Sequence, residues 1–243
     1  MLFRSFRWIV LLSFYFMFFA LFAIAFSNSV KDKLKREYSA HKVYSYNTAR
    51  VYMYNDVDCT DNQMFLIYSG TTYPWTCGRT NKPSSTAINA EHSVPQSFFG
   101  KKSPMVSDLH HIYPASAKIN SIRSNFRYTE VDYSQCKKFC RDMNCQTERP
   151  SSNIDDYSCL TVDNEFMPRK ADRGQVARGV LYFYTIYDSY DITRVGSVSL
   201  FRRWNTQFPP NAQEKTRNDR LNKTQGNRNP YVDDYTLVDQ AFA

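Results

Sequence analysis

The 243-residue chain contains no internal repeat and no long low-complexity linker, so it suits one domain, or at most two, with enough residues to bury a real core. Its hydrophobic content of 42% and aromatic content of 16% argue against disorder as the main state. Histidine is scarce: the whole chain has four, which are His41, His92, His110 and His111.

One long apolar run, residues 8–26, follows two arginines at the N-terminus. Ala23-Ile-Ala25 fits the small-x-small pattern of a signal cleavage site, but the run is also just long enough to span a bilayer. The cluster of basic residues at 31–36 slightly disfavours simple export. We favour a cleaved signal peptide over residues 1–25, with a retained signal anchor as the alternative. Either outcome predicts a secreted, periplasmic or otherwise extracytoplasmic body.

The six cysteines lack the paired short intervals of a zinc ribbon, and no histidine lies near the group of four between residues 136 and 159. Structural zinc is therefore the minor interpretation. An even number of cysteines behind an export signal favours disulfides instead. Spacing leaves the connectivity open among Cys59, Cys77, Cys136, Cys140, Cys145 and Cys159.

The formal net charge is +8, and loss of residues 1–25 would remove only two arginines and leave about +6. Such an excess favours a polyanionic partner, either nucleic acid or an acidic membrane surface. Charge alone is weak evidence, because many basic proteins bind neither. After residue 25 we distinguish a charged N-terminal segment, residues 26–46, from the main domain, residues 47–243.

Helical periodicity is clearest in the C-terminal part. Apolar side chains recur at helical spacing over residues 172–187, and residues 199–208 continue the pattern until two prolines stop it. Residues 211–224 predict a polar helix with Asn211 as its N-cap and Gly226 just past its end. We assign the aromatic stripes to the core.

Other segments give weaker signals. Residues 47–56 are compatible with a helix that leads to Cys59, and residues 64–69 with a strand. Residues 133–164 hold four cysteines and show no clear period, which predicts an irregular insertion stapled by disulfides.

A strand, a loop, a strand and a helix are predicted between residues 90 and 126. The segments 90–95 and 109–114 are short and bounded by turn residues, as in a hairpin-like unit. Residues 116–126 predict a short helix that follows a proline and has a serine at its start. Asn120 and Arg123 are three residues apart on this helix, so they share a face.

This unit carries side chains suited to metal-assisted phosphodiester cleavage. The Glu91 carboxylate and the Asn120 amide oxygen predict an oxygen site of low charge for Mg²⁺ or another hard divalent cation such as Mn²⁺ or Ca²⁺. His92 is the candidate base, and Arg123 could hold a phosphate oxygen bidentately. A lone glutamate or histidine would more simply be a surface charge or a strand cap. The close grouping favours the functional interpretation.

The run from Asp108 to His111 leaves a rival interpretation open, a catalytic zinc site built from His92, His110 and His111. Adjacent residues of a strand point to opposite faces, so two neighbouring histidines are strained ligands for one metal. Asp108 and His110 are predicted instead to orient the loop or to support the site. Asn125 is a further candidate for support.

The same residues resemble the endonuclease I family, which are secreted or periplasmic nucleases with a ββα-metal (His-Me) finger. The resemblance rests on Glu91-His-Ser-Val-Pro95, Asp108-Leu-His110, Pro114 and Asn120-x-x-Arg-Ser-Asn-Phe126. Supporting matches are Cys77-Gly78, residues 176–179 with the aromatic run after them, and residues 225–231. Together they cover roughly residues 50 to 235 in family order.

The resemblance implies an α+β fold, with a ββα-metal core embedded in a mostly helical, disulfide-stapled single domain. It implies that His92 activates water as general base, that Glu91 and Asn120 bind one divalent metal, and that Arg123 contacts phosphate. The substrates would be DNA, and often RNA, cut with little sequence preference to leave 5′-phosphate ends. A basic surface that contacts the backbone rather than the bases fits this expectation.

The sequence departs from the family pattern in five places. His111 stands where asparagine is usual, and only Lys101-Lys102 is available where longer members place an arginine. Met167 and Gln175 occupy places where acidic residues are common. The insertion around residues 136–159 is not the usual pattern.

The leading expectation is a secreted, monomeric, metal-dependent endonuclease. One alternative is a basic nucleic-acid-binding protein without catalysis, and another is a zinc hydrolase that uses His92 and His110. Contact with a membrane is expected only if the N-terminal segment is retained. Cys59–Cys77 is the preferred disulfide, because both residues flank the region before the site.

Overall fold

The computed structural model describes residues 30–243. The signal peptide or anchor expected over residues 1–25 lies outside the described residues. Between residues 30 and 243, no helix combines the length and the apolar character needed to cross a membrane.

Most of the helical residues lie in the C-terminal part, as the periodicity predicted. A π-helical turn at Met53–Val57 extends the second helix. The helices are α1 (residues 30–38), α2 (Tyr46–Tyr52), α3 (Ala117–Arg123), α4 (Arg173–Ile186), α5 (Val198–Gln207), α6 (Ala212–Gln225), α7 (Pro230–Asp233) and α8 (Leu237–Ala241).

Short antiparallel strands form three small sheets in the described chain. The first has the order β1-β2-β3, the second is the hairpin β4-β5, and the third has the order β7-β6-β8-β9. The mixture of helices and small sheets confirms the α+β class. The strands are β1 (Cys59–Thr60), β2 (Gln63–Leu66), β3 (Thr71–Pro74), β4 (Ile88–His92), β5 (Ile112–Ser116), β6 (Cys136–Arg141), β7 (Asn144–Gln146), β8 (Ser158–Thr161) and β9 (Phe166–Met167).

The β4–β5 hairpin and α3 follow one another in the predicted order of strand, loop, strand and helix. Ile88 pairs with Ser116 at one end of the hairpin, and His92 pairs with Ile112 at the other. Ser116 occupies the N-cap position of α3, but its side chain makes no capping hydrogen bond. The helix stops at Ser124, whose φ of 53° is incompatible with a further helical turn.

The hairpin lies between two hydrophobic clusters. Ile88 and Ile112 belong to a cluster shared with α2, β2 and α6, whereas Tyr113 and Ala115 belong to the larger cluster around α4. Because both faces of β5 are covered, all five of its residues are buried. The strands that carry the candidate site are therefore held from both sides.

Helix α4 packs closely against β5. Every residue of α4 except Gln175 is buried. An added Cβ at Gly179 would lie 2.4 Å from the hydroxyl oxygen of Tyr113, so only glycine allows this approach. The contact restrains β5, and through the strand pairing it restrains β4 as well.

The predicted C-terminal helices α4, α5 and α6 are confirmed to within one residue at either end. The N-cap of α6 is also confirmed, because the Asn211 side chain accepts from the Glu214 backbone N–H at 2.9 Å. Gly226 follows the helix with a φ of 88°. In the described part of the charged N-terminal segment, Leu34 of α1 joins the larger cluster.

The prediction of an irregular insertion over residues 133–164 is wrong. The segment supplies three strands of the four-stranded sheet, and disulfides Cys136–Cys159 and Cys140–Cys145 join neighbouring strands within it. Buried and exposed residues do not alternate along β6 or β8. The alternating apolar pattern by which a half-buried strand is recognised from sequence is therefore missing there. The third disulfide joins Cys59 to Cys77, as preferred from the sequence.

The strand predicted over residues 109–114 begins later than expected. Residues Leu109–His111 form a 3₁₀ turn, and β5 starts at Ile112. The turn is capped by Asp108, whose side chain accepts from the His110 backbone N–H at 3.1 Å. The opposite-face argument for His110 and His111 therefore does not apply, and their positions must be judged from their contacts.

Candidate active site

An open cleft of about 290 Å³ lies where the β4–β5 hairpin meets α3 and the turn that follows β4. Side chains from all three parts line it. The cleft brings together five residues predicted from the sequence, which are Glu91, His92, Asn120, Arg123 and Asn125.

The His92 imidazole is oriented by a backbone carbonyl. Its Nε2 lies 3.1 Å from the carbonyl oxygen of Val106, which can only accept a hydrogen bond, so Nε2 carries the proton. Nδ1 therefore keeps its lone pair and accepts from the Gln96 side-chain amide at 3.1 Å. Burial, followed by the neighbouring His111, lowers the pKa of His92 well below its ordinary value. The neutral ring therefore has its basic lone pair at Nδ1, where Gln96 contacts it.

Glu91 is buried and paired with Arg123. Its Oε1 lies 3.0 Å from the Arg123 Nε, at ion-pair distance but without hydrogen-bond geometry. The Tyr68 hydroxyl donates to the same oxygen at 2.9 Å. Burial raises the pKa of Glu91, although Arg123 and Tyr68 oppose that shift. No side chain between residues 30 and 243 donates to the other oxygen, Oε2.

Asn120 is half-buried on α3. Its Nδ2 donates to the Asn89 Oδ1 at 2.6 Å, which leaves its own Oδ1 without a donor in the described part of the chain. The Glu91 Oε2 and the Asn120 Oδ1 are thus two hard oxygen donors at one cleft, the first anionic and the second neutral. This donor set fits a cation such as Mg²⁺, which takes most of its ligands from water and substrate.

A metal held entirely by protein acids, thiolates or imidazoles does not fit the described residues. Among residues 30–243, no group of three or more His, Cys, Asp or Glu is placed to hold a metal ion. The zinc site considered for His92, His110 and His111 therefore has no support in the described structure.

Arg123 has no exposed side-chain surface. Its two terminal nitrogens donate to the carbonyl oxygens of Ser124 and Ser93, each at 2.8 Å, and its guanidinium carbon lies 4.7 Å from the centre of the Tyr128 ring. The side chain lines the cleft together with Glu91. The phosphate contact expected for Arg123 stays a prediction.

Comparison with known proteins identifies the family. A family model described as Endonuclease I matches residues 26–235, which is most of the chain. The chain belongs to this family of nucleases. The resemblance that rests on Glu91, His92, Asp108 and the Asn120 segment is thereby confirmed.

The chain is also similar to several known nucleases. An extracellular deoxyribonuclease of Aeromonas hydrophila is 26% identical over 183 residues, which cover 65% of this chain and 72% of that protein. A periplasmic deoxyribonuclease of the same organism is 28% identical over 53% of this chain and 48% of its own length. An extracellular ribonuclease of Bacillus amyloliquefaciens is 26% identical over 88% of this chain and 74% of its own length. The chain thus spans about half to three quarters of these relatives.

The motif residue Asp108 lies behind the cleft rather than in it. Its two carboxylate oxygens accept from the hydroxyls of Tyr182 and Tyr187, at 3.0 and 2.8 Å, and from the Gln225 amide at 2.9 Å. Burial by itself would raise the pKa of Asp108, but the nearby histidines and Gln225 lower it to about 2. Asp108 is an ionised anchor for the loop before β5.

The two histidines that follow Asp108 also contact residues outside the cleft. The His110 Nε2 lies 3.2 Å from both the backbone and side-chain oxygens of Asn227, and burial lowers the pKa of His110 to about 4. The His111 Nε2 lies 2.7 Å from the Met105 carbonyl oxygen, and its ring centre is 5.4 Å from that of His92. His111 therefore packs against the candidate base without joining the cleft.

Several site residues were missed from the sequence. Tyr68 reaches Glu91 because β2 runs on into a bridge with β5, where the Ile67 backbone N–H donates to the Pro114 carbonyl at 2.9 Å. Tyr128 supports Tyr68 through a hydroxyl contact of 2.6 Å. Gln96 follows the recognised motif by one residue. Gln96 had a local signal, because it directly follows the motif. Tyr68 and Tyr128 reach the site through packing between distant segments, which leaves no local signal.

Proposed function

We propose that this chain is a metal-dependent, sequence-non-specific endonuclease that hydrolyses phosphodiester bonds of DNA, with RNA as a further substrate, and leaves 5′-phosphate ends. One observation carries the proposal: the Nε2 of His92 lies against the Val106 carbonyl, so that the basic lone pair is at Nδ1, in the cleft that Glu91 and Asn120 also line. The family match and the nucleases among the relatives support it.

In the proposed mechanism, the His92 Nδ1 takes a proton from the water that attacks the phosphorus. The Gln96 amide, which donates to this lone pair in the structure, yields its place to that water. A hard divalent cation held by Glu91 and Asn120 would supply Lewis-acid stabilisation of the charge on the phosphate and the leaving 3′ oxygen. Arg123, paired with Glu91, holds this carboxylate in place.

The proposed setting is extracytoplasmic. The relatives named above are extracellular or periplasmic proteins. The three disulfides of the described residues favour an oxidising compartment. The net charge of +8 favours contact with the phosphate backbone, which carries no sequence information and fits non-specific cutting.

The test is a plasmid-nicking assay with the purified protein in Mg²⁺, in EDTA, and as the His92→Ala variant. We expect Mg²⁺-dependent nicking that EDTA abolishes. In the variant the rate should fall at least about a hundredfold, the order expected for loss of a general base. Cutting supported by Zn²⁺ but not Mg²⁺ would favour a zinc hydrolase. Binding of DNA without any cutting would favour a non-catalytic binding protein.

A further inference from the structure

Helix α2 packs beside His92, the candidate base. The ring of Tyr46, the first residue of α2, is centred 5.5 Å from the ring of His92. The Tyr46 hydroxyl accepts from the amide of Gln96 at 3.5 Å, the same amide that donates to His92. The start of α2 is thus connected to the cleft by packing and by a shared hydrogen-bond donor.

Arg50 lies one helical turn after Tyr46 and covers its ring, with the guanidinium carbon 4.4 Å from the ring centre. This stacking orients the guanidinium without using its N–H groups. The Nε of Arg50 is buried and has no hydrogen-bond partner. Within residues 30–243, no carboxylate forms an ion pair with Arg50. In contrast, the buried arginines of the body are paired, among them Arg173, Arg178 and Arg217.

A second cation increases the positive charge at this place. The Lys82 ammonium contacts the Asn47 side chain, which lies on α2 one turn before Arg50. Burial and then the positive charge of Arg50 lower the pKa of Lys82. Among residues 30–243, no carboxylate forms an ion pair with Lys82 either. Two like charges close together and without ion-pair partners give a local field that favours an anion.

Arg50 lies close enough to His92 for one nucleic-acid strand to reach both. The Arg50 guanidinium carbon lies 4.4 Å from the centre of the Tyr46 ring, which lies 5.5 Å from the centre of the His92 ring. The guanidinium carbon is therefore no more than 9.9 Å from the centre of the His92 ring. That limit corresponds to at most about three nucleotides of a stacked strand, at a rise of roughly 3.4 Å each.

We propose that Arg50, stacked on Tyr46, binds a phosphate of the substrate strand that flanks the scissile one. This inference rests on the proposed function and adds a second phosphate site to it. It predicts that the enzyme prefers a chain with several phosphodiesters over a single isolated diester.

The test compares two substrates, a 12-nucleotide single strand and bis(p-nitrophenyl) phosphate, which has one diester and no flanking phosphate. Arg50→Gln keeps most of the stem over Tyr46 and removes the charge. We expect its kcat/KM to fall about tenfold on the oligonucleotide, mainly through KM, and to change less than about twofold on the small diester. Arg50→Lys should recover part of the loss. Arg36→Ala, an exposed arginine of α1 away from the cleft, is the charge-matched control and should match wild type.

Other outcomes would overturn the inference. An equal loss on both substrates would show that Arg50 only positions Tyr46 and His92, and no loss on either would show that it binds no phosphate. Binding of the oligonucleotide by the His92→Ala variant, with and without Arg50→Gln, gives a readout that does not need catalysis. Equal affinity of these two proteins would also contradict the inference. Failure of the wild type to cut either substrate, with the affinity difference still present, would refute the proposed function alone.

Discussion

The ion pair between Glu91 and Arg123 should contribute far more to stability than an exposed pair of similar length. Glu91→Gln keeps the shape of the side chain but leaves a fully buried guanidinium without its counter-charge. Removal of one partner from a buried pair costs about 3–5 kcal/mol. The carbonyls of Ser93 and Ser124 still accept from Arg123, so we expect the lower end, a loss of about 3 kcal/mol in the free energy of unfolding.

The pair between Arg202 and Asp239 is the matched control. Its atoms are 2.9 Å apart, close to the 3.0 Å of the buried pair, but its side chains are 37% and 55% exposed. Exposed pairs contribute roughly 0–1 kcal/mol, because water screens the charges and the side chains lose entropy. Asp239→Asn should therefore cost less than about 1 kcal/mol.

The assay is urea unfolding followed by circular dichroism. EDTA is present throughout, so that no divalent cation adds stability. Repeating the titrations at about 0.5 M salt should weaken the exposed pair further and leave the buried pair almost unchanged. Similar losses for Glu91→Gln and Asp239→Asn would refute the argument that burial decides the size of the effect.

Two further predictions concern the body around the site. Burial raises the pKa of Asp172 to about 6. Between about pH 4 and pH 6 the folded state therefore keeps a proton that the unfolded state has released. The free energy of unfolding falls as the pH rises through this range. The unfolding free energy of wild type relative to Asp172→Asn should fall by on the order of 3 kcal/mol between pH 4 and pH 7 in urea titrations, and a constant difference would contradict this. Gly179→Ala should destabilise the folded protein by about 2 kcal/mol in thermal unfolding, because the new Cβ meets the Tyr113 hydroxyl. Adding Tyr113→Phe should recover part of that loss. A gain in stability for Gly179→Ala would mean that helix propensity outweighs the close contact.

The sequence predicted well the parts whose signals are local. The caps of α6 depend on Asn211 and Gly226 themselves, and the apolar stripe of α4 follows from the helical period. The convergence of the motif residues at one cleft could also be predicted, because β4, β5 and α3 follow one another with only the loop before β5 between the strands.

The rest depends on contacts between distant segments, which leave no local pattern. The sheet β6–β9 is stapled by two disulfides, so its strands do not need alternating apolar side chains. Tyr68 reaches Glu91 from 23 positions earlier, through a strand bridge that no spacing rule predicts. The burial of Arg123 follows from the same packing, since Tyr128 and the Ser93 carbonyl enclose it.

The orientation of His92 depends on residues that never reach the cleft. The Val106 carbonyl that holds the Nε2 proton belongs to the loop that Asp108 anchors to Tyr182 of α4 and to Gln225 at the end of α6. A displacement of this loop would free Nε2, and the ring could then rotate or change tautomer without losing a buried hydrogen bond. Asp108 thus affects His92 through the backbone, because a buried carboxylate that accepts several hydrogen bonds holds the loop more firmly than apolar contacts alone. The motif residue that lies outside the cleft in this way helps to hold the orientation of the His92 ring.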